Sequence, residues 1–387
     1  MQNGALKRMF QDLKIVELAS VLAGPSVGQF FAELGATVVK VENPRQGGDV
    51  TRTWKAAGEE TDDRSAYFCS ANWGKQSVAL DLTLARDRQV VDDLLREADI
   101  VISSYKPGDD QKFGVDYPTL SQRYPRLIYG QITGYGATDP RVGYDAVLQA
   151  EAGFMHMNGE PGGPSLKMPV ALVDVLAAHH LKEGLLLALL NRYRTGQGAL
   201  VAVSLWQAAV SSLVNQATNW LVAGKLPQKQ GSAHPNIAPY GDVYRTADGE
   251  EILVAVGSDR QFRDLCQVLD IAALGEDARY RDNTARVQNR LTLNSVLQAQ
   301  IGMRTAQALM MQIHHWKIPA GFIHTLQQVF EVPAAQELLL REGPLAGVRN
   351  VAATLSFVDR SAIPVTAPPA LGEHTNTVLE RLNSNRS

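Results

Sequence analysis

A chain of 387 residues that is 45% apolar and 20% charged has the makeup of an ordinary globular protein with room for two domains. Its 37 basic and 40 acidic residues leave a formal net charge of -3 without a long run of either sign, which argues against nucleic acid or an anionic membrane as principal partner. The two cysteines, Cys69 and Cys266, lie outside any C-x-x-C and can build neither a disulfide framework nor a zinc site, so a reducing, cytoplasmic home is expected.

The N-terminus lacks the long apolar segment of a signal peptide, and no run approaches the ~20 apolar residues of a membrane span. Lys14–Leu18 reads as a short strand, Ala23-Gly24-Pro25 as a turn, and the following residues as a helix with Phe30, Phe31 and Leu34 on its apolar face. Gly35 ends that helix, Thr37–Val41 is a second strand, and Glu42 stands at its end. The unit is β-α-β, yet its turn, Leu22-Ala23-Gly24-Pro25-Ser26, lacks the G-x-G-x-x-G of a dinucleotide site.

The pattern recurs. Ser77–Leu82 is a strand, Leu84–Glu97 an amphipathic helix, and Ile100–Ile102 a strand. Tyr117–Tyr124 is then a short helix and Leu127–Ile132 a strand. Alternation of this kind predicts an α/β fold with a Rossmann-like parallel sheet, whose ligands bind beyond the carboxyl ends of the strands. The segments there are Ser20–Pro25, Glu42–Pro44, Ser103–Gly108 and Thr133–Asp145, all rich in Gly, Pro or hydroxyl residues.

The stretch from Met168 to Gly198 is central. Val170–Val173 reads as the end of a strand or a tight extended entry, and after Asp174 comes a helix apolar nearly all round, the pattern of a core helix. Asp174 therefore sits at a helix N-terminus, where N–H groups and the dipole favour negative charge. Taken alone, Asp174 reads as an ordinary N-cap. Ala199–Leu205 is a further strand and Trp206–Ala223 a long helix. The polar Gly224–Pro239 reads as a linker, and about Tyr240–Ile323 as a smaller α+β domain. That domain has a turn at Ala247-Asp248-Gly249, a strand at Ile252–Val256, and helices near Arg260–Leu269, Thr292–Ile301 and Thr305–Ile313. After Pro333 come loops and a last helix, Thr375–Leu382. By these patterns a large domain over 1–223, a linker over 224–239 and a smaller domain over 240–323 are expected.

Several stretches occur in a recognisable order. They are LAGPSVGQFFAELGATVVKVENP with Gly48-Asp49 and Arg52 after it, NWGKQSVALDL, ADIVISSYKPG, GQITGYGATDP, GYDAVLQAEAGFMHMNGEPGG, VALVDVLAAHHLKEGLLLALLNRYRTGQG and PPALGEHTNTVLERL. Spread from about residue 11 to 382, they make the sequence resemble the family III CoA-transferases, which include formyl-CoA:oxalate and carnitine CoA-transferases and 2-methylacyl-CoA racemases. The resemblance implies a Rossmann-like domain built from both chain ends, with 324–387 as a linker and C-terminal return to it, a smaller domain between, and a homodimer of interlocked rings. It also implies coenzyme A as carrier substrate, acyl-CoA and small carboxylic acids as partners, and no metal.

The family's catalytic aspartate falls on Asp174, a carboxylate suited to attack an acyl-CoA thioester. Tyr144-Asp145 separates the family's branches. Racemases carry a histidine in place of Tyr144, and a phenol is a poor base for α-proton abstraction. Tyr144 is expected to line the thioester site; Asp145 reads equally as a substrate contact or a helix cap. By motif position Val21, Leu22 and Ala23 would border the pantetheine, Asn43, Leu80, Ser104 and Tyr105 the adenosine, and Lys112 and Arg141 the phosphates. Asn43 and Ser104 depart from the residues common there, and a solvated surface charge is nearly as good a reading for Lys112 and Arg141. Glu160-Pro161-Gly162-Gly163 matches a family loop that could close over the thioester, or is a plain turn. His179, His180, His314 and His315 have no second metal ligand at a sensible spacing. The expected function is transfer of CoA from an acyl-CoA to a free acid through covalent aspartyl intermediates. The alternatives are a racemase of the same family and a non-catalytic acyl-CoA-binding subunit.

Overall fold

The computed structural model describes residues 9–106 and 108–384. Part of the N-terminal stretch read above, and Pro107 in the loop expected after the fourth strand, lie outside the described residues.

The chain forms two compact units. The first takes residues 1–152, 168–214 and 336–387, and the second 153–167 and 215–335. At the heart of the first is a parallel sheet of β1 (Lys14–Leu18), β2 (Thr37–Glu42), β3 (Lys75–Ala79), β4 (Ile100–Ser103), β5 (Ile128–Thr133) and β6 (Leu200–Ser204). The strand order is β3-β2-β1-β4-β5-β6, and every neighbouring pair is parallel. This is the doubly wound arrangement, with its switch point between β1 and β4. Strand β3 begins two residues before the expected Ser77. It stops before Asp81 because that side chain accepts the Thr83 N–H at 2.9 Å and turns the chain.

Helices cover both faces, as parallel sheets require. On one face Val16, Val39, Val101 and Tyr129 share a core with Val91, Leu94 and Leu95 of the helix Ala85–Glu97. Val378 and Leu382 of the C-terminal helix Thr375–Ser384 complete that core. On the other face lie α1 (Ala23–Glu33) and the 24-residue central helix Leu172–Thr195, which meet Ile102 and Gly130 respectively. The close approach to the sheet depends on Gly184: a Cβ there would stand 2.4 Å from Val201 Cγ1.

Four expectations are corrected here. Val170–Val173 is not a strand end; the chain bends at Val170 and the helix has begun by Leu172. The central helix is not buried all round, because the sheet and α1 cover only part of its apolar circumference. Leu187, Leu190 and Tyr193 are 67%, 50% and 90% exposed. Trp206–Ala223 is two helices, Leu205–Ser211 and Val214–Ala223, parted where Val214 takes φ 35°. A hairpin of β10 (Leu339–Glu342) and β11 (Leu345–Val348) also stands where loops were expected.

The second unit holds an antiparallel sheet, β7 (Tyr240–Arg245), β8 (Glu251–Ala255) and β9 (Ala320–Phe322). Helices Asp259–Val268, Arg290–Ile301 and Ala306–His315 close a core around Phe262, Leu265, Leu297 and Ile313. Glu160–Gly163 belongs to this unit. No described helix is long and apolar enough to cross a membrane.

Candidate active site

The carboxyl ends of β1, β4 and β5 frame a cavity of about 200 Å³. Val21 and Ala23 enter it from the start of α1, Ser104 and Tyr105 from the loop after β4, and Arg141, Tyr144 and Asp145 from the loop after β5. Asp174 reaches it from the central helix. Eight of the twelve residues singled out in the sequence thus meet at one place. They come from four segments of chain, joined by the topology of the sheet.

Asp174 is the third residue of its helix; the cap position is Ala171, whose side chain makes no capping bond. The plain N-cap reading is therefore excluded. The carboxyl is 7% exposed, and among the described residues no hydrogen bond reaches it. Burial, with the charge of Asp145 added, pushes its pKa up to about 7. Near neutral pH it is thus poised between acid and carboxylate, the kind of shift that clusters at functional sites.

Asp145 opens its own helix, Asp145–Glu151, but it caps another. Its Oδ1 accepts the Val173 N–H at 2.8 Å, one residue before Asp174. Its Oδ2 accepts from Gln149 Nε2 at 2.7 Å, and Gln149 Oε1 accepts the Met168 N–H at 2.8 Å. Asp145 and Gln149 together fasten the entry of the central helix. Tyr144 precedes them, 53% exposed at the rim.

The other predicted residues spread over two neighbouring cavities. One, of about 340 Å³, is bordered by Asn43, Leu80, Tyr105 and Lys112, and the other, of about 400 Å³, by Asn43 and Tyr105 with Lys40 and Asp49. Tyr105 borders all three, and burial raises its hydroxyl to about 12, so it stays protonated. Leu22 borders none of them. Lys112 is paired with Asp109 at 2.5 Å, and Arg141 with Asp139 at 2.8 Å while lying 3.7 Å over the Tyr135 ring. Each cation would exchange an acidic neighbour for a ligand phosphate or carboxylate.

Sequence reasoning missed Tyr67, in the short helix Ala66–Cys69. Burial raises its hydroxyl, and the charges of Asp174, Asp145 and Asp49 raise it further. It missed Gln149 as well. Neither lies in a periodic pattern, and only the fold brings them in. Glu42, noted at its strand end, receives Arg52 at 2.7 and 2.8 Å and Ser77 Oγ at 2.6 Å. Burial alone would raise its pKa, but these partners and Lys40 outweigh burial and hold it low. Among the described residues there is no cluster of three His, Cys, Asp or Glu able to hold a metal.

A model of CoA-transferase family III matches residues 10–375. The chain is 37% identical to a succinate–glutarate CoA-transferase of Agrobacterium fabrum, over 98% of this chain and 96% of that one. It is 33% identical to the succinyl-CoA:glutarate CoA-transferase of Mus musculus, over 96% of this chain and 86% of the mouse protein. Among solved structures it is similar to a CAIB/BAIF family protein from Brucella suis, with a TM-score of 0.85 and 36% identity over 98% of this chain and all of that one.

Proposed function

The chain belongs to CoA-transferase family III, and from that premise we propose that it exchanges CoA between an acyl-CoA and a free acid through covalent intermediates on Asp174. The observation that carries this reading is the buried Asp174 carboxyl, raised to about 7, at the one cavity where the segments named above converge. As the carboxylate, Asp174 attacks the thioester carbonyl; the C–S bond breaks and CoA leaves as the thiolate, giving a mixed anhydride. The thiolate attacks the aspartyl carbonyl of that anhydride, the first acid leaves as its carboxylate, and an aspartyl-CoA thioester remains. The second acid repeats the steps in reverse order and departs as the new acyl-CoA, leaving Asp174 free. Each step exchanges one acyl–heteroatom bond for another, so the thioester's energy is conserved.

The surroundings suit these steps. The first turn of the central helix carries a dipole that favours the developing negative charge. Asp145, by holding the Val173 N–H, fixes that turn. The relatives' acids support a short dicarboxylate acceptor with a succinyl-type donor, and Arg141 on the rim suits a second carboxylate as well as the phosphate role expected of it. Val21, Ala23, Asn43, Leu80, Ser104 and Tyr105 are proposed to border bound CoA. The proposal includes a homodimer of interlocked rings, in support of which the central helix leaves Leu187, Leu190 and Tyr193 uncovered.

Intact-mass spectrometry after incubation with a panel of acyl-CoAs tests the mechanism. A hydroxylamine-sensitive CoA adduct on the wild type, absent from Asp174→Ala, is expected. CoA exchange at full rate by Asp174→Ala would overturn it. Deuterium uptake at the α-carbon of a 2-methylacyl-CoA, without exchange, would turn the reading to a racemase.

A further inference from the structure

The turn from β1 into α1 holds a β-branched residue where a glycine would be at ease. Val21 has φ 73°, a left-handed backbone that is an outlier for its type. Such strain persists only where the surroundings over-determine it, and it clusters at functional sites.

Here the surroundings are side chains. The Ala19 carbonyl accepts Lys40 Nζ at 2.7 Å, and the Ser20 N–H donates to Ser104 Oγ at 3.1 Å. The Val21 N–H donates to both oxygens of Asp49, at 3.2 and 3.3 Å, and the Pro25 carbonyl accepts Lys75 Nζ at 2.8 Å. The turn is thus held from β2, β3 and two loops. No local pattern does this.

The charged members form one network. Glu17 receives Lys40 at 3.0 Å and Lys75 at 2.8 Å, and Lys40 also reaches Asp49 at 2.9 Å. None of the four is more than 4% exposed, and two cations balance two anions. Burial alone would raise the Asp49 pKa, but Lys40 and the Thr51 bonds outweigh it, so its oxygens are ionised acceptors. Helix α1 presses directly on the cluster: a Cβ at Gly28 would stand 1.9 Å from Glu17 Oε2. Apolar residues of equal volume often stabilise a core as well as a buried ion set does, so stability is a weak account of this one. Its position beneath the wall of the Asp174 cavity is a better account.

We propose that Asp49, braced by Lys40, Glu17 and Lys75, is a positioning residue that clamps Val21 in its left-handed conformation and so fixes the cavity wall against which the thioester is held. A glycine loop would reach this backbone unaided; here an acid from the next loop imposes it. The inference rests on the transferase reading of the cavity.

A double-mutant cycle tests it, using Asp49→Asn, Val21→Gly and the pair, with kcat/KM, the CoA dissociation constant and the melting curve read for each. Asp49→Asn is expected to stay folded at the assay temperature and to lose ~10²-fold in kcat/KM, the scale of a small misplacement. In the Val21→Gly background the further loss from Asp49→Asn is expected to fall below roughly tenfold, since glycine takes positive φ without help. Losses that simply multiply, or that follow the unfolded fraction, would overturn the clamp. Should Asp49→Asn not fold, Thr51→Val replaces it; that change removes a 2.8 Å bond aiming Asp49 but keeps every charge, and it is scored the same way. If the wild type exchanges CoA with no donor–acceptor pair, the transferase reading falls. The cycle is then decided on the CoA dissociation constant, where coupling supports the clamp and multiplication overturns it.

Discussion

At the scale of residues, the site turns on two carboxyls with different surroundings. Asp174 is buried without a hydrogen-bond partner among the described residues, while Asp145 accepts from a backbone N–H and an amide. Burial first, and the Asp145 charge second, raise Asp174 to about 7. In the proposed mechanism only the ionised carboxylate attacks, so kcat/KM is expected to fall about tenfold per unit as pH drops below that value. Asp145→Asn removes the like charge but keeps an oxygen for the Val173 N–H. The acidic limb of the profile should then move to lower pH, by less than burial has raised it. A limb that stays in place, measured across pH 5–9, would mean that Asp145 does not act on Asp174 electrostatically.

At the scale of elements, the central helix decides where Asp174 points. Its contact with β6 depends on the missing side chain of Gly184, whose Cβ would meet the stiff, branched Val201 at 2.4 Å. Gly184→Ala is expected to cost roughly 1–3 kcal/mol, the usual penalty of overpacking, despite alanine's better helix propensity. A lower urea midpoint with an unchanged slope would bear this out; a higher midpoint would mean that the helix shifts freely. The same element exposes a limit of pattern reading. A helix apolar on every side predicts burial all round, and the described chain covers only part of it.

At the scale of the whole molecule, the chain by itself leaves large apolar side chains bare, Leu187 at 67% and Tyr193 at 90%. Solitary exposed apolar residues are ordinary, but several on one helix indicate a partner surface. Leu187→Glu is expected to lower the melting temperature of the proposed dimer, since interlocked protomers separate only by unfolding. Wild-type protein sedimenting as a monomer at micromolar concentration would sink the dimer.

The sequence by itself determined the alternation of strands and helices and hence the parallel sheet, while the resemblance carried by its ordered motifs singled out Asp174 as the carboxylate to watch. These follow from local periods of two and 3.6 residues and from ordered motifs, each written in contiguous stretches. Only the tertiary structure decided what touches what. Asp145 caps a helix 28 residues further on, Asp49 holds a backbone group 28 residues before it, and Lys75 meets Glu17 across 58. The β-α-β crossovers bring these partners together, and a bond between side chains on separate crossovers leaves no period in the sequence that joins them. Even the raised pKa of Asp174 is a property of the cavity, since it comes from water excluded by four segments that meet only when the sheet has formed.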